Sequence, residues 1–179
     1  VTHDIFMTGF GGQGILVIGN LLAYAGILEG KNVSYYPSYG VEKRGGAANC
    51  TVVVSDEEVG SPVIGNPSAG IILNQTSFDG HIGRFKPGAF CLLNSSLIEE
   101  GEKRRADLDI LRLPLNQMAL ELGDARMLNM IAIGAYLAKH QPVAFSSLKK
   151  ALTKVLPERN HRFIPLNERA IDLGAASAR

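Results

Sequence analysis

The chain has 179 residues, enough for one domain that buries roughly 70% of the surface its unfolded form exposes. Apolar residues make up 46% and charged residues 20%, and a net charge of +1 with scattered Lys and Arg excludes the basic face that nucleic-acid binding requires. No apolar run approaches the roughly 18 residues of a membrane span, and the polar start at Val1 to Asp4 is not that of a signal peptide. With two cysteines and no disulfide framework, the composition points to the cytoplasm.

In chain order, Ile5 to Thr8 reads as a short buried strand that runs into the glycine-rich stretch Gly9-Phe10-Gly11-Gly12-Gln13-Gly14. The residues after it form a helical pattern, with Ile15, Leu16, Ile18, Leu21, Leu22 and Ala25 covering more than one face, as in a largely buried helix. Asn32 to Tyr36 is the second strand. Strand, glycine turn, helix and strand within about 30 residues predict a βαβ unit, with parallel pairing and a right-handed crossover.

A second glycine-rich stretch, Ser38-Tyr39-Gly40-Val41-Glu42-Lys43-Arg44-Gly45-Gly46, precedes the longest predicted strand, Ala47 to Ser55, which turns at Asp56-Glu57-Glu58. Gly70 to Asn74 and Ala89 to Asn94 are further apolar runs of strand length, and Lys86-Pro87-Gly88 is a turn between them. Glu99 to Arg105 is a mixed-charge connection. Asp109 to Leu113 is the last strand, and Pro114 leads into a helix reaching Leu122.

Asp124 to His140 predicts a second buried helix, in which Gly134 permits close backbone approach and which Pro142 follows. Ser146 or Ser147 caps a third through Leu148, Leu152 and Val155. Pro157 to Pro165 is irregular, and Asn167 opens a final Ala-rich helix. The elements predict an α/β fold over residues 1–179, a single Rossmann-like domain with a largely parallel sheet flanked by helices.

Gly9, Gly11 and Gly14 fit the G-x-G-x-x-G pattern in its required context, after a strand and before a helix, where free N–H groups favour an anion. A dinucleotide site also needs an acid at the end of the second strand to hold the ribose, and that strand ends in Ser34-Tyr35-Tyr36-Pro37 without one. Close chain packing or a subunit contact is therefore the favoured role of the turn, with a free-standing dinucleotide-binding oxidoreductase or regulator as the alternative. The loop carrying Arg44 and Gly45 follows the second strand at the expected carboxyl edge, where a guanidinium suits a carboxylate, a phosphate or a partner chain. Tyr35, Tyr36 and Tyr39 beside it favour an interface.

Cys50 and Cys91 lie inside apolar runs and read as buried small hydrophobes, and two thiols fall short of the four or so an iron–sulfur cluster takes. His3, His81, His140 and His161 lack metal-ligand spacing. No catalytic residue and no metal ligand is therefore assigned to this chain.

Together the two glycine stretches, the run Ala48-Asn49-Cys50-Thr51-Val52-Val53-Val54-Ser55-Asp56-Glu57, and Ser61-Pro62, Asn74-Gln75 and Asn129-Met130 through Gly134 resemble the gamma subunit of 2-oxoacid:ferredoxin oxidoreductases, also found as one domain of single-chain pyruvate:ferredoxin oxidoreductases. The family often has Pro where this chain has Val41, and a different residue at Lys43. The resemblance implies a subunit of a cytoplasmic complex that oxidatively decarboxylates a 2-oxoacid to an acyl-CoA and passes electrons to ferredoxin or a related acceptor. It further implies that alpha and beta partners hold thiamine diphosphate and magnesium, and that a delta subunit or cluster domain carries iron–sulfur clusters. The Arg-Gly-Gly loop running into Ala-Asn-Cys is more similar to the 2-oxoglutarate and branched-chain members, with 2-oxoglutarate to succinyl-CoA as the expected reaction. By the same resemblance, Gly9, Gly11, Gly12, Gln13, Gly14, Arg44 and Gly45 lie along the CoA path or a subunit interface.

Overall fold

The structure, a computed structural model, describes residues 1–39 and 46–179; Arg44, Gly45 and the rest of the loop 40–45 lie outside the described residues. Its strands are β1 (Thr2–Phe10), β2 (Asn32–Tyr39), β3 (Ala47–Ser55), β4 (Ala69–Ile72), β5 (Phe90–Asn94) and β6 (Asp109–Leu113). They form one sheet in the order β2-β3-β1-β4-β5-β6. β1, β4, β5 and β6 pair parallel in sequence, whereas β3 is antiparallel to both its neighbours, β1 and β2. The sheet is thus mixed but mostly parallel, as predicted.

One part of the expected βαβ unit is corrected. β1 and β2 run in the same direction, but they do not pair, because β3 folds back from β2 as a hairpin and inserts between them. The physical reason lies in the strands themselves. Val52, Val53 and Val54 are buried, so β3 is covered on both faces and takes an interior place, while Tyr36, Pro37 and Ser38 are exposed on β2 at the edge.

Six helices complete the fold: α1 (Ile15–Leu28), α2 (Gln75–His81), α3 (Leu115–Leu122), α4 (Leu128–His140), α5 (Phe145–Val155) and α6 (Ile164–Ser177). Alternate strand residues enter two cores. Ile5, Met7, Ile71, Phe90 and Leu92 pack with α1, α4, α5 and α6 on one face, and Phe6, Ile72, Cys91 and Leu93 pack with Phe78 of α2 and with Ile82 and Phe85 on the other. α1 lies close on the β2–β3 hairpin because it carries glycine there: a Cβ on Gly19 would come 2.5 Å from Cys50 Sγ, and one on Gly26 would come 2.7 Å from Val33 Cγ2.

Three helix starts depart from the sequence reading. α2 was not anticipated; it is only two turns long and is set by Asn74, whose side chain accepts the Ser77 N–H at 2.8 Å. α5 begins at Phe145 rather than after a serine cap, since Glu29, at the end of α1, accepts the Ala144 N–H at 2.7 Å. α6 begins at Ile164, with a proline in its first turn, and Asn167 sits inside it, donating back to the Phe163 carbonyl at 2.7 Å.

Candidate functional site

The glycine-rich turn leaves β1 at the carboxyl edge of the parallel strands. Gly11–Gln13 form a single 3₁₀ turn, and Gly14, at φ +75°, reverses the chain into α1. Gly11 N donates to the Gly46 carbonyl at 3.3 Å, and the register places Phe10 opposite Ala47 and Gly9 opposite Ala48. The first glycine-rich stretch and Gly46, the described end of the second, therefore meet at one edge of the sheet. Arg44 and Gly45 fall in the connection between Tyr39 and Gly46, outside the described residues.

The glycines of the turn divide into two kinds. A Cβ on Gly9 would come 2.7 Å from Gln13 Oε1 and 3.1 Å from Leu73 Cβ, and a Cβ on Gly14 would collide with the Asn129 amide. Close packing within the chain accounts for both. Gly11 and Gly12 are exposed, and a Cβ on either would meet nothing within 4 Å. Nothing in the described chain demands glycine there, so their bare backbone faces outward.

Gln13 ties the turn down. Its Oε1 accepts from Phe10 N at 2.7 Å and from Asn74 Nδ2 at 3.1 Å, and its Nε2 donates to the Leu73 carbonyl at 3.4 Å. Asn94, at the end of β5, donates to the same carbonyl at 3.0 Å and to Asn116 Oδ1 at 2.7 Å, while its Oδ1 accepts Leu115 N at 3.0 Å. From α4, Asn129 donates to the Gly14 carbonyl at 3.2 Å. A chain of neutral amides thus runs along the ends of β1, β4 and β5. Being uncharged, it keeps its geometry independently of pH, and each buried member left unpaired would cost about 1–3 kcal/mol.

These amides are what sequence reasoning missed. Asn94 was read only as a residue bounding an apolar run, Asn74 as that and as part of the family resemblance, and Asn129 only as part of the resemblance. The available signal was that both runs end in asparagine, Ile72-Leu73-Asn74 and Leu92-Leu93-Asn94, at a strand terminus where a side-chain amide meets unpaired backbone groups.

Cys50 and Cys91 are buried and free, in separate cores on the two faces of the sheet, and burial pushes both thiols up to about 12, so they are protonated at neutral pH. They do not fit a cluster-ligand role, and among the described residues no three His, Cys, Asp or Glu side chains group as metal ligands. His81 and His140 pack against aromatic rings, and burial holds both below the usual imidazole range. None of the described helices is long and apolar enough to cross a membrane.

Comparison with known proteins bears on the family and the fold. Residues 4–177 match the pyruvate ferredoxin/flavodoxin oxidoreductase family. The chain is 37% identical over 132 residues to the ketoisovalerate oxidoreductase subunit VorA of Methanothermobacter marburgensis, which covers 74% of this chain and 27% of that subunit. It is 30% identical over 157 residues to the 2-oxoglutarate synthase subunit KorC of Methanocaldococcus jannaschii, covering 87% of this chain and 84% of that one. Against the crystal structure of the keto/oxoacid ferredoxin oxidoreductase gamma subunit from Geobacter sulfurreducens, the TM-score is 0.83 at 29% identity, over 98% of each chain. The chain thus spans only about a third or less of the VorA relatives, 27% of one and 36% of another, but most of KorC and of the gamma subunit. On the extent of the family match and on the relatives it shares, the chain belongs to the pyruvate ferredoxin/flavodoxin oxidoreductase family.

Proposed function

We propose that the chain is the gamma subunit of a cytoplasmic, multisubunit 2-oxoacid:ferredoxin or related acceptor oxidoreductase, and that it supports CoA-dependent oxidative decarboxylation without carrying the chemistry itself. The observation behind this reading is that Gly11 of the first glycine-rich stretch bonds Gly46, at the end of the second, at one edge where Gly11 and Gly12 leave their backbone bare to the outside. That surface suits a neighbouring chain or an extended ligand. In this reading Gly9, Gln13 and Gly14 shape the edge, while Gly11, Gly12, Arg44 and Gly45 face the CoA path or the alpha and beta partners.

Thiamine diphosphate, magnesium and iron–sulfur clusters belong in this proposal to partner chains. This chain has two cysteines, both with protonated buried thiols, and lacks a Gly-Asp-Gly metal-diphosphate motif. Electron transfer then runs through a delta subunit or cluster domain to ferredoxin. The substrate proposed is 2-oxoglutarate, giving succinyl-CoA, in line with KorC relatives that align along most of their length. A branched-chain 2-oxoacid is the second reading, favoured by the higher identity, 37% and 34%, to the ketoisovalerate subunits.

The test is reconstitution. The purified chain alone should oxidise no 2-oxoacid, and co-expression with thiamine-binding and cluster-binding partners should give CoA-dependent activity, with 2-oxoglutarate and 2-ketoisovalerate compared directly. Full activity from the isolated chain would overturn the proposal. Tight calorimetric binding of NAD, NADP or FAD to the isolated chain would favour the free-standing dinucleotide enzyme instead.

A further inference from the structure

A separate cavity of about 170 Å³ lies on the sheet face opposite α1, at the β2 side of β1. Its floor is built from neighbouring strands: the register aligns Phe6 with Thr51 and Tyr36 in one row, and Thr8 with Asn49 and Ser38 in the next. Val63 and Ile64, from the connection between β3 and β4, form an apolar wall, and Arg84, just after α2, closes the far side. The cavity uses none of the residues assigned above to the glycine-bearing edge, so its role does not depend on the proposed function.

Arg84 is the unexplained group. Its guanidinium lies over the Phe6 ring, 4.4 Å from the centroid, and donates to the Ile64 carbonyl at 3.2 Å and toward His81 Nδ1 at 3.5 Å. Burial, then the neighbouring Arg84, hold His81 below the usual imidazole range, and an imidazole supplies no negative charge in either protonation state. Among the described residues no carboxylate comes within 4.0 Å of Arg84. Arginine is always protonated and has five N–H donors, and these contacts use two. A half-buried, permanently charged side chain fixed by ring stacking and by backbone, with no carboxylate within 4.0 Å among the described residues, is an arrangement that an anion completes.

The lining selects the class of anion. The polar residues that line the cavity with Arg84 are neutral, Tyr36, Ser38, Thr51 and Asn49, and the Asn49 Oδ1 is already taken by the Thr8 hydroxyl at 2.6 Å. One positive charge balances one negative charge, and the planar fork pairs with a carboxylate through two parallel hydrogen bonds. A phosphate dianion would find half the charge it needs. Opposite these polar groups, Val63 and Ile64 offer a surface for a few methylenes. We infer that this cavity binds a small monocarboxylate with a short aliphatic tail, the carboxylate on Arg84 and the tail against Val63 and Ile64.

The test is an NMR titration of the full-length ¹⁵N-labelled chain with butyrate and, separately, with inorganic phosphate. Butyrate should produce saturable shifts at the amides of Ser38, Asn49 and Thr51, with Arg84→Gln weakening binding about tenfold or more through loss of the charge-assisted pair. Tyr36→Phe, at a side chain 48% exposed and safe for folding, should weaken it by a smaller factor with the thermal midpoint unchanged. No saturable shift with butyrate at concentrations on the order of 10 mM would overturn the inference. So would tighter binding of phosphate at the same amides, or unaltered butyrate binding by Arg84→Gln. Should Arg84→Gln fail to fold, Tyr36→Phe decides, and unchanged butyrate affinity there counts against the site.

Discussion

At the scale of single residues, the glycine turn shows how one residue type serves two ends. Gly14 has φ +75° and would drive a Cβ into Asn129, so Gly14→Ala should cost about 1–3 kcal/mol of stability, read as a lower urea midpoint. Gly12 has neither constraint, and Gly12→Ala should leave stability unchanged or raise it by up to about 1 kcal/mol. If its role lies outside the chain, the same substitution should weaken partner assembly. A similar loss of stability in both variants would show that the two glycines do not differ in role.

Buried ionisable groups give a second prediction at this scale. Cys50 and Cys91 have an ordinary value of 9.0 and are pushed up to about 12, and burial also raises Tyr136 above its ordinary 10.0. Groups raised in the folded state contribute stability that is fully present below the unfolded value. It is then lost as pH rises, because the unfolded chain ionises first. Unfolding free energy should therefore fall above about pH 9, by up to about 1.4 kcal/mol per pH unit for each group. In the same terms, a thiol reagent at neutral pH should label neither cysteine until denaturant is added.

At the scale of elements, α4 and α6 show packing that the sequence half disclosed. Gly134 was read as a point of close approach, but its counterpart could not be named from sequence. In the fold, a Cβ on Gly134 would fall on the Ile171 carbonyl, and one on Gly174 on the Ile131 carbonyl. Each helix thus lays a glycine against the other's backbone. Gly174→Ala should destabilise the protein by about 1–3 kcal/mol, and Gly134→Ala similarly, as overpacking forces the helices apart. Because the two sites share one contact, the double variant should cost less than the sum, measurable by a double-mutant cycle on chemical denaturation. The apolar period and punctuation placed α1, α3 and α4 and all six strands, with ends shifted by a few residues. The starts of α2, α5 and α6 were less legible, since Glu29 and Asn74 supply caps through contacts that local pattern does not encode.

At the scale of the whole molecule, the sheet's asymmetry organises what the protein can do. One face is covered by five helices, α1, α3, α4, α5 and α6. The other carries the short α2 and the residues after it over Phe6, Ile72, Cys91 and Leu93, and the cavity beside Arg84 lies on this face at the β2 side of β1. The carboxyl edge brings the first glycine-rich stretch to Gly46 beside a row of paired amides. If that edge meets partner chains or CoA, Arg44→Ala should leave the thermal midpoint of the isolated chain unchanged. In the assembled complex it should reduce co-purification of partners or raise the apparent KM for CoA; unchanged assembly and kinetics would return Arg44 to an ordinary solvated surface role.

The sequence by itself determined the elements, the α/β class, the burial of both cysteines and the absence of an acid after the second strand, because each follows from residue type and short-range period. It also carried the two glycine stretches and the resemblance they support. Only the tertiary structure decided that β3 inserts between β1 and β2, that Gly11 meets Gly46, and that Gln13, Asn74, Asn94 and Asn129 lock the edge. Strand order and amide pairing join residues tens of positions apart, and their energies depend on which partners the closed chain brings within about 3 Å. Local pattern specifies what each segment is; the sheet decides which segments touch.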